Sequence, residues 1–263
     1  MRFLVLVLTM MASWPAIALA QQAWPGSYPE GPVWIDGDLY WAEMYSDRVQ
    51  RWSGGEPETF LQVNGCGPTA IAPYREEELI VLCHLGGHLL NVSREGSVLS
   101  KIDISAGGIQ LRNPNDASAD GKGGVWFTDP GRFSSSAPAE GRIYHLSGDG
   151  VLRQHADGLA YGNGVHVDQA GQRLLVSEHL SQKVLSFPIR TDGLGEAEVL
   201  IDFRELELPR PSYPETGPDG LELGPDGTLW IAEYGATRLI GWHPERGLVA
   251  ALQVDPQFVT NIA

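Results

Sequence analysis

The sequence predicts an all-β chain, a six-bladed β-propeller whose sixth blade stops after its innermost strand. Three observations carry this. Short apolar runs recur along the 263 residues, with 32 Gly and 18 Pro to break them. The runs return in a fixed phrase at a spacing of about 40 to 50 residues, which is propeller spacing. No long segment holds the 3.6-residue period that a helix needs.

The first twenty residues stand apart from the repeat. Met1-Arg2 gives a basic start, residues 3–11 are almost wholly apolar, and Ala18-Leu19-Ala20 fits a small-residue cleavage site. This reads as a secretory signal peptide, too short to span a membrane, and predicts a periplasmic or secreted protein. Residues 21–263 are then a single propeller domain. They carry 17 basic and 33 acidic residues, a net charge of −16, which argues against nucleic acid and anionic membrane as partners.

The phrase opens with Leu39-Tyr40-Trp41-Ala42-Glu43 and repeats as Leu79-Ile80-Val81-Leu82-Cys83. It continues as Val125-Trp126-Phe127-Thr128-Asp129, Leu174-Leu175-Val176-Ser177-Glu178 and Leu229-Trp230-Ile231-Ala232-Glu233. Each copy reads as four strands, with hairpin turns at Asp36-Gly37, Asp149-Gly150 and Asp226-Gly227. Trp41, Trp126 and Trp230 occupy core positions of the repeat and read as packing between blades. A sixth copy begins at Phe258-Val259-Thr260-Asn261-Ile262-Ala263. An open blade of that kind leaves an unpaired edge through which two copies of the chain can associate. In the second copy, a turn near Arg75 to Glu78 brings Cys66 and Cys83 close. They are either a disulfide, which export permits, or two buried thiols.

Inner strands of a propeller converge on a channel, so polar residues at equivalent positions meet in space. Glu30, Asn115, Asn163 and Asp219, joined by Asn261, approach one mouth. Two carboxylates with amide oxygens suit a hard cation such as calcium, and no His or Cys cluster suggests a zinc site. Glu43, Asp129, Glu178 and Glu233 recur at strand ends and read as turn or cap contacts. Of the histidines that follow strands, His84, His88 and His179, the last is the one placed to reach a substrate. Tyr161 is a further candidate near the mouth.

Glu30-Gly31-Pro32, Pro114-Asn115-Asp116, Asn163-Gly164, Pro218-Asp219-Gly220, Trp126-Phe127-Thr128-Asp129-Pro130 and Thr260-Asn261-Ile262-Ala263, in this order, resemble the family of senescence marker protein (regucalcin), gluconolactonase and related lactonases. The resemblance implies a six-bladed propeller with one divalent ion, calcium foremost and zinc or manganese as alternatives. Glu30, Asn163 and Asp219 would be its ligands, and Asn115 would touch the substrate or complete the shell. Some members carry an Arg two residues before the Asn-Asp pair; here that position is Asn113, with Arg112 one residue earlier as the nearest candidate. The implied activity is hydrolysis of a lactone, a sugar lactone such as gluconolactone, with Asp219 as general base. Gly-Xaa-Ser-Xaa-Gly is absent, which argues against a serine esterase. The competing functions are a non-catalytic propeller fastened by its ion and a strictosidine-synthase-like or paraoxonase-like propeller of other substrate range.

Overall fold

The computed structural model describes residues 3–4, 25–255 and 257–263. The predicted signal peptide lies almost wholly outside the described residues. From Pro29 onward the chain builds five antiparallel blades in sequence order, each of four strands, with a short fifth strand, Gly193–Leu194, added to the fourth. Blade 1 comprises Pro29–Ile35, Asp38–Glu43, Arg48–Trp52 and Glu58–Gln62; blade 2 comprises Pro68–Tyr74, Glu78–Cys83, His88–Ser93 and Val98–Ile102. Blade 3 comprises Ala117–Ala119, Val125–Asp129, Gly141–Leu146 and Leu152–Leu159. Blade 4 runs Gly162–Asp168, Arg173–Glu178, Lys183–Arg190 and Glu198–Asp202, and blade 5 runs Gly217–Leu223, Leu229–Tyr234, Arg238–His243 and Gly247–Gln253.

The all-β propeller is as predicted, and each repeated phrase is the second strand of a blade. The blade count is not. Among the described residues there are five blades rather than six, and residues 258–263 form no strand. A lone segment has no antiparallel neighbour to share a ladder with, so its polar groups bond sideways instead. The Gly220 amide donates to the Thr260 carbonyl at 2.8 Å, and the Thr260 hydroxyl donates to the Pro29 carbonyl at 2.7 Å. The segment thus bridges the inner strands of blades 5 and 1. The innermost strand predicted for a sixth blade is therefore not formed among the described residues.

Packing follows the same arithmetic. Buried apolar clusters fill the junctions between consecutive blades: Val49, Ile71 and Val81 between blades 1 and 2, Ile80, Phe127 and Tyr144 between 2 and 3. Trp126, Val165 and Leu174 fill the junction of blades 3 and 4, and Leu175, Leu221 and Ile231 that of 4 and 5. The other face of blade 1 holds only a small buried cluster, Leu39 and Trp41 backed by Trp52. Trp41 and Trp126 are buried as expected, whereas Trp230 is half-buried.

Cys66 and Cys83 form a disulfide. It ties the approach to the blade 2 inner strand onto the end of the second strand, where Pro68 pairs with Cys83. A cross-link closing a loop of this length stabilises by about 3 kcal/mol in the chain-entropy account. The Cys66→Ala/Cys83→Ala double variant is expected to lose about that much, read as a lower urea midpoint, with a steeper slope as the freed unfolded chain exposes more surface.

Candidate metal centre and substrate pocket

The inner strands are not regular ladders, and their irregularity is what aims the site. Register breaks fall between Glu30 and Val33 in blade 1, between Gly162 and Val165 in blade 4, and between Pro218 and Leu221 in blade 5. Each is a bulge, which kinks a strand and re-aims the side chain at the kink. Glu30 sits at the edge of one bulge; Asn163 and Asp219 sit inside theirs. The glycine after each predicted ligand has a steric role. A Cβ on Gly31 would lie 2.4 Å from the Thr69 carbonyl, and one on Gly164 would lie 2.3 Å from that of Asp219. Only glycine lets adjacent inner strands approach this closely. That requirement explains the Glu-Gly and Asn-Gly pairs in the motifs.

Hydroxyls from the second strands stitch one blade to the next beneath the site. Thr128 donates to the Asn163 carbonyl at 2.6 Å, and Ser177 donates to the Asp219 carbonyl at 2.6 Å. Ser177 in turn accepts from the Gly164 amide at 2.7 Å. The candidate ligands therefore stand on backbone fixed from the neighbouring blade.

Glu30, Asn115, Asn163 and Asp219 all line one pocket of about 130 Å³, together with Tyr28, Met44, Tyr45, Thr69, His84, Phe133, Tyr161, His179 and Tyr234. The Asn115 amide donates to Asn163 Oδ1 at 2.5 Å, which leaves that oxygen a second lone pair for another partner. Asn261 lies elsewhere. It lines a separate cavity of about 250 Å³ with Asp116, Val165 and Glu222, and hydrogen-bonds Asp116.

The electrostatics are unfavourable as they stand. Glu30 is held well above the usual carboxylate range by burial, then by the Asp219 and Asp116 charges, against relief from the Gly31 amide and Thr260. Asp219 is raised in the same direction by burial and by Asp116. Asp116 is pushed up to about 6 by burial, although the Val165 and Ala117 amides both donate to it at 3.0 Å. Among the described residues, none of these three carboxylates has a Lys, Arg or His ion-pair partner. Buried like charges without a counter-ion are destabilising, and a bound cation would compensate them. Among the described residues no three His, Cys, Asp or Glu side chains group as a metal cluster. A cation here would have to draw on amide oxygen as well as carboxylate, and the all-oxygen donor set fits a hard divalent ion.

Two of the residues predicted to touch substrate, Arg112 and His179, have side chains bonded within the protein. The Arg112 guanidinium pairs with Glu140 at 2.6 Å, is largely exposed, and does not line the pocket. Beside it the Asn113 side chain accepts from the Gly131 amide at 3.1 Å. Both brace the segment of residues 130–140, which joins two strands of blade 3 and carries Phe133 to the mouth. His179 lines the pocket, but Nδ1 lies 3.2 Å from the Pro218 carbonyl and Nε2 lies 3.0 Å from that of Glu215. Burial holds this imidazole toward its neutral form, and it fixes the approach to Asp219.

The strand-end acids make the local contacts expected of them: Glu43 binds Arg48 at 2.7 Å and Glu233 binds Arg238. Asp129 accepts from the Arg112 and Asn113 amides, and Glu178 from that of Ala160.

Residues 28–263 match the family model described as the SMP-30/Gluconolactonase/LRE-like region. The chain belongs to this family. A structure of a gluconolactonase from Xanthomonas campestris is similar to it with a TM-score of 0.74 and 25% identity, covering 90% of this chain and 79% of that one. Regucalcin of Xenopus laevis is 26% identical over 83% of this chain and 72% of its own length. Pentonolactonase XacC of Haloferax volcanii is 22% identical over 89% of this chain and 76% of its own. The SMP-30/gluconolactonase membership accounts for the order of the motifs. The bulges, glycines and hydroxyl bridges are the physical reason these motifs occur together.

Members of the pocket that the sequence reading passed over are Thr69, Tyr28, Met44, Tyr45, Phe133 and Tyr234. Thr69 had a signal, because Pro68 pairs with Cys83 as Pro29 pairs with Glu43, which makes it the blade 2 counterpart of Glu30. Phe133 lies in a loop insertion with no repeat register, so no periodic argument reaches it.

Proposed function

We infer that this protein hydrolyses the ester bond of a lactone, using a divalent cation, calcium foremost, held by Glu30, Asn163 and Asp219. One observation carries the reading. Two carboxylates and an amide oxygen from three different inner strands face one small pocket, and among the described residues no Lys or Arg lines it to balance them. The lactonases among the relatives, a pentonolactonase and a gluconolactonase by name, support the reaction class.

A cation bound by this set supplies polarisation of the ring carbonyl and neutralises the charge that develops on its oxygen. The remaining chemistry falls to the chain's own residues. Asp219 takes the proton from water as it adds to the ring carbonyl and returns it to the ring oxygen as the acyl–oxygen bond breaks. Asn115, held by its bond to Asn163, presents its free amide valences to orient the ester. Tyr28, Tyr161 and Tyr234 wall the pocket and keep bulk water from it. Burial raises all three phenols, Tyr234 to about 12, so they remain neutral at the pH of catalysis.

The proposal extends to location. A disulfide between Cys66 and Cys83 belongs to an oxidising compartment, which agrees with an exported protein in the periplasm or medium. The test of function is a panel of lactones assayed with calcium, zinc or manganese and with chelator. Turnover that chelator abolishes and one of these ions restores is expected; no turnover with any ion would remove the hydrolase reading.

A further inference from the structure

We propose that His84 is a specificity-determining residue: its Nδ1 accepts a hydrogen bond from a hydroxyl carried on the lactone ring, so that a hydroxylated lactone is preferred to its deoxy counterpart. The proposal rests on the lactone-hydrolysing reading above and names the residue that reads the ring. His84 directly follows the second strand of blade 2 and lines the pocket with Glu30, Asn115 and Asp219. Its amide donates to the Gly67 carbonyl at 3.0 Å, beside the Cys66–Cys83 disulfide. Its imidazole bonds the Pro114 carbonyl, which also accepts from the Thr69 hydroxyl at 3.2 Å. The ring is thus held between blade 2 and the approach to blade 3, one residue from Asn115.

Nδ1 is what this anchoring leaves over. It is buried and makes no hydrogen bond among the described residues, so the contact with Pro114 falls to Nε2. Burial lowers the imidazole from 6.5 to about 4, which keeps it neutral at pH 7. A neutral ring that donates through Nε2 carries a lone pair on Nδ1. So weak a base holds a hydroxyl rather than taking a proton from water. A lone pair buried without a donor has given up its bond to water and gained nothing in return. The carbonyl and ring oxygens of a lactone only accept, so a hydroxyl is the donor that such a molecule can bring. Glu30 and Asp219 already repel each other in this pocket, and a neutral acceptor adds no further charge to it. One bond of this kind discriminates on the order of tenfold against a ligand that lacks the hydroxyl.

The experiment measures kcat/KM of the full chain, loaded with calcium, for two pairs of lactones. These are D-glucono-δ-lactone against δ-valerolactone, and α-hydroxy-γ-butyrolactone against γ-butyrolactone. The hydroxylated member is expected to lead by at least about tenfold in one pair or both. His84→Gln, whose amide takes the place of Nε2 against Pro114 but offers nothing at Nδ1, should cut that lead at least about fivefold, mainly through a higher KM for the hydroxylated member. His84→Asn, whose amide oxygen falls near the place of Nδ1, should retain most of it. Calcium affinity by calorimetry should stay the same in both variants, which shows that the neighbouring site is intact. A lead missing from both pairs in the parent, unmoved in His84→Gln, or lost equally in both variants overturns the proposal and leaves the hydrolase reading standing. Absence of turnover with all four lactones overturns both.

Discussion

Asp219→Asn is expected to lower kcat/KM for any lactone the protein turns over by about 10²–10⁴-fold, and at the same time to stabilise the metal-free protein. The two effects have one cause. Asp219 is buried beside Glu30 and Asp116 and has no Lys, Arg or His ion-pair partner among the described residues, so in the proposed function its charge serves catalysis at the expense of the fold. An amide of the same shape would remove the proposed proton acceptor and one proposed cation ligand, but also one of three repelling charges. A gain of about 1–2 kcal/mol would raise the melting temperature of the chelator-treated protein by about 2–4 °C per kcal/mol. Calorimetric melts of both proteins in chelator read this directly. A variant that melts lower than the parent under these conditions would show that Asp219 is compensated by something other than a cation.

The second expectation concerns pH. Asp116 has its folded-state value raised from 3.8 to about 6, and Glu30 and Asp219 are raised in the same direction. A carboxyl raised on folding binds its proton more tightly in the native state than in the unfolded one. Between the two values the native state holds the proton and the unfolded state does not, so stability falls as pH rises. For Asp116 alone the loss is on the order of 3 kcal/mol across the window from about 4 to about 6, and the pair at the mouth extends it upward. Chelator-treated protein should therefore be most stable in mild acid and weaken toward neutrality. Saturating calcium should flatten this profile, because a ligand that binds only the ionised native site adds stability where the charges are present. Urea midpoints measured from pH 4 to 8, with and without calcium, check both halves of this expectation.

Much of this was legible in the residues. Repeated phrases such as Leu39-Tyr40-Trp41 and Leu229-Trp230-Ile231 gave away the second strands, because a strand buried on both faces is a short apolar run between turn formers. The motifs Glu30-Gly31 and Asn163-Gly164 marked the inner strands, since the ligand and the close approach behind it are needed together. The limits were also physical. The sixth blade was inferred from Thr260-Asn261-Ile262, yet a strand is defined by its partner, and this segment spends its hydrogen bonds on Gly220 and Pro29. Asn261 shares the motif of the ligands but not their bulge, and faces the other cavity. Arg112 was placed by its distance from Asn115 along the chain, whereas Glu140, 28 positions on, decides where its guanidinium goes. Phe133 and Tyr234 come together across blades 3 and 5, a contact that no local pattern encodes.

The mouth formed by Glu30, Asn163 and Asp219 is the proposed divalent-cation site. Isothermal titration of calcium into chelator-treated, desalted protein at neutral pH tests it most directly. One saturable site per chain is predicted, abolished in Asp219→Asn and in Glu30→Gln while both variants retain their β-sheet signature. No saturable binding in the parent, or binding of equal strength in both variants, would contradict it.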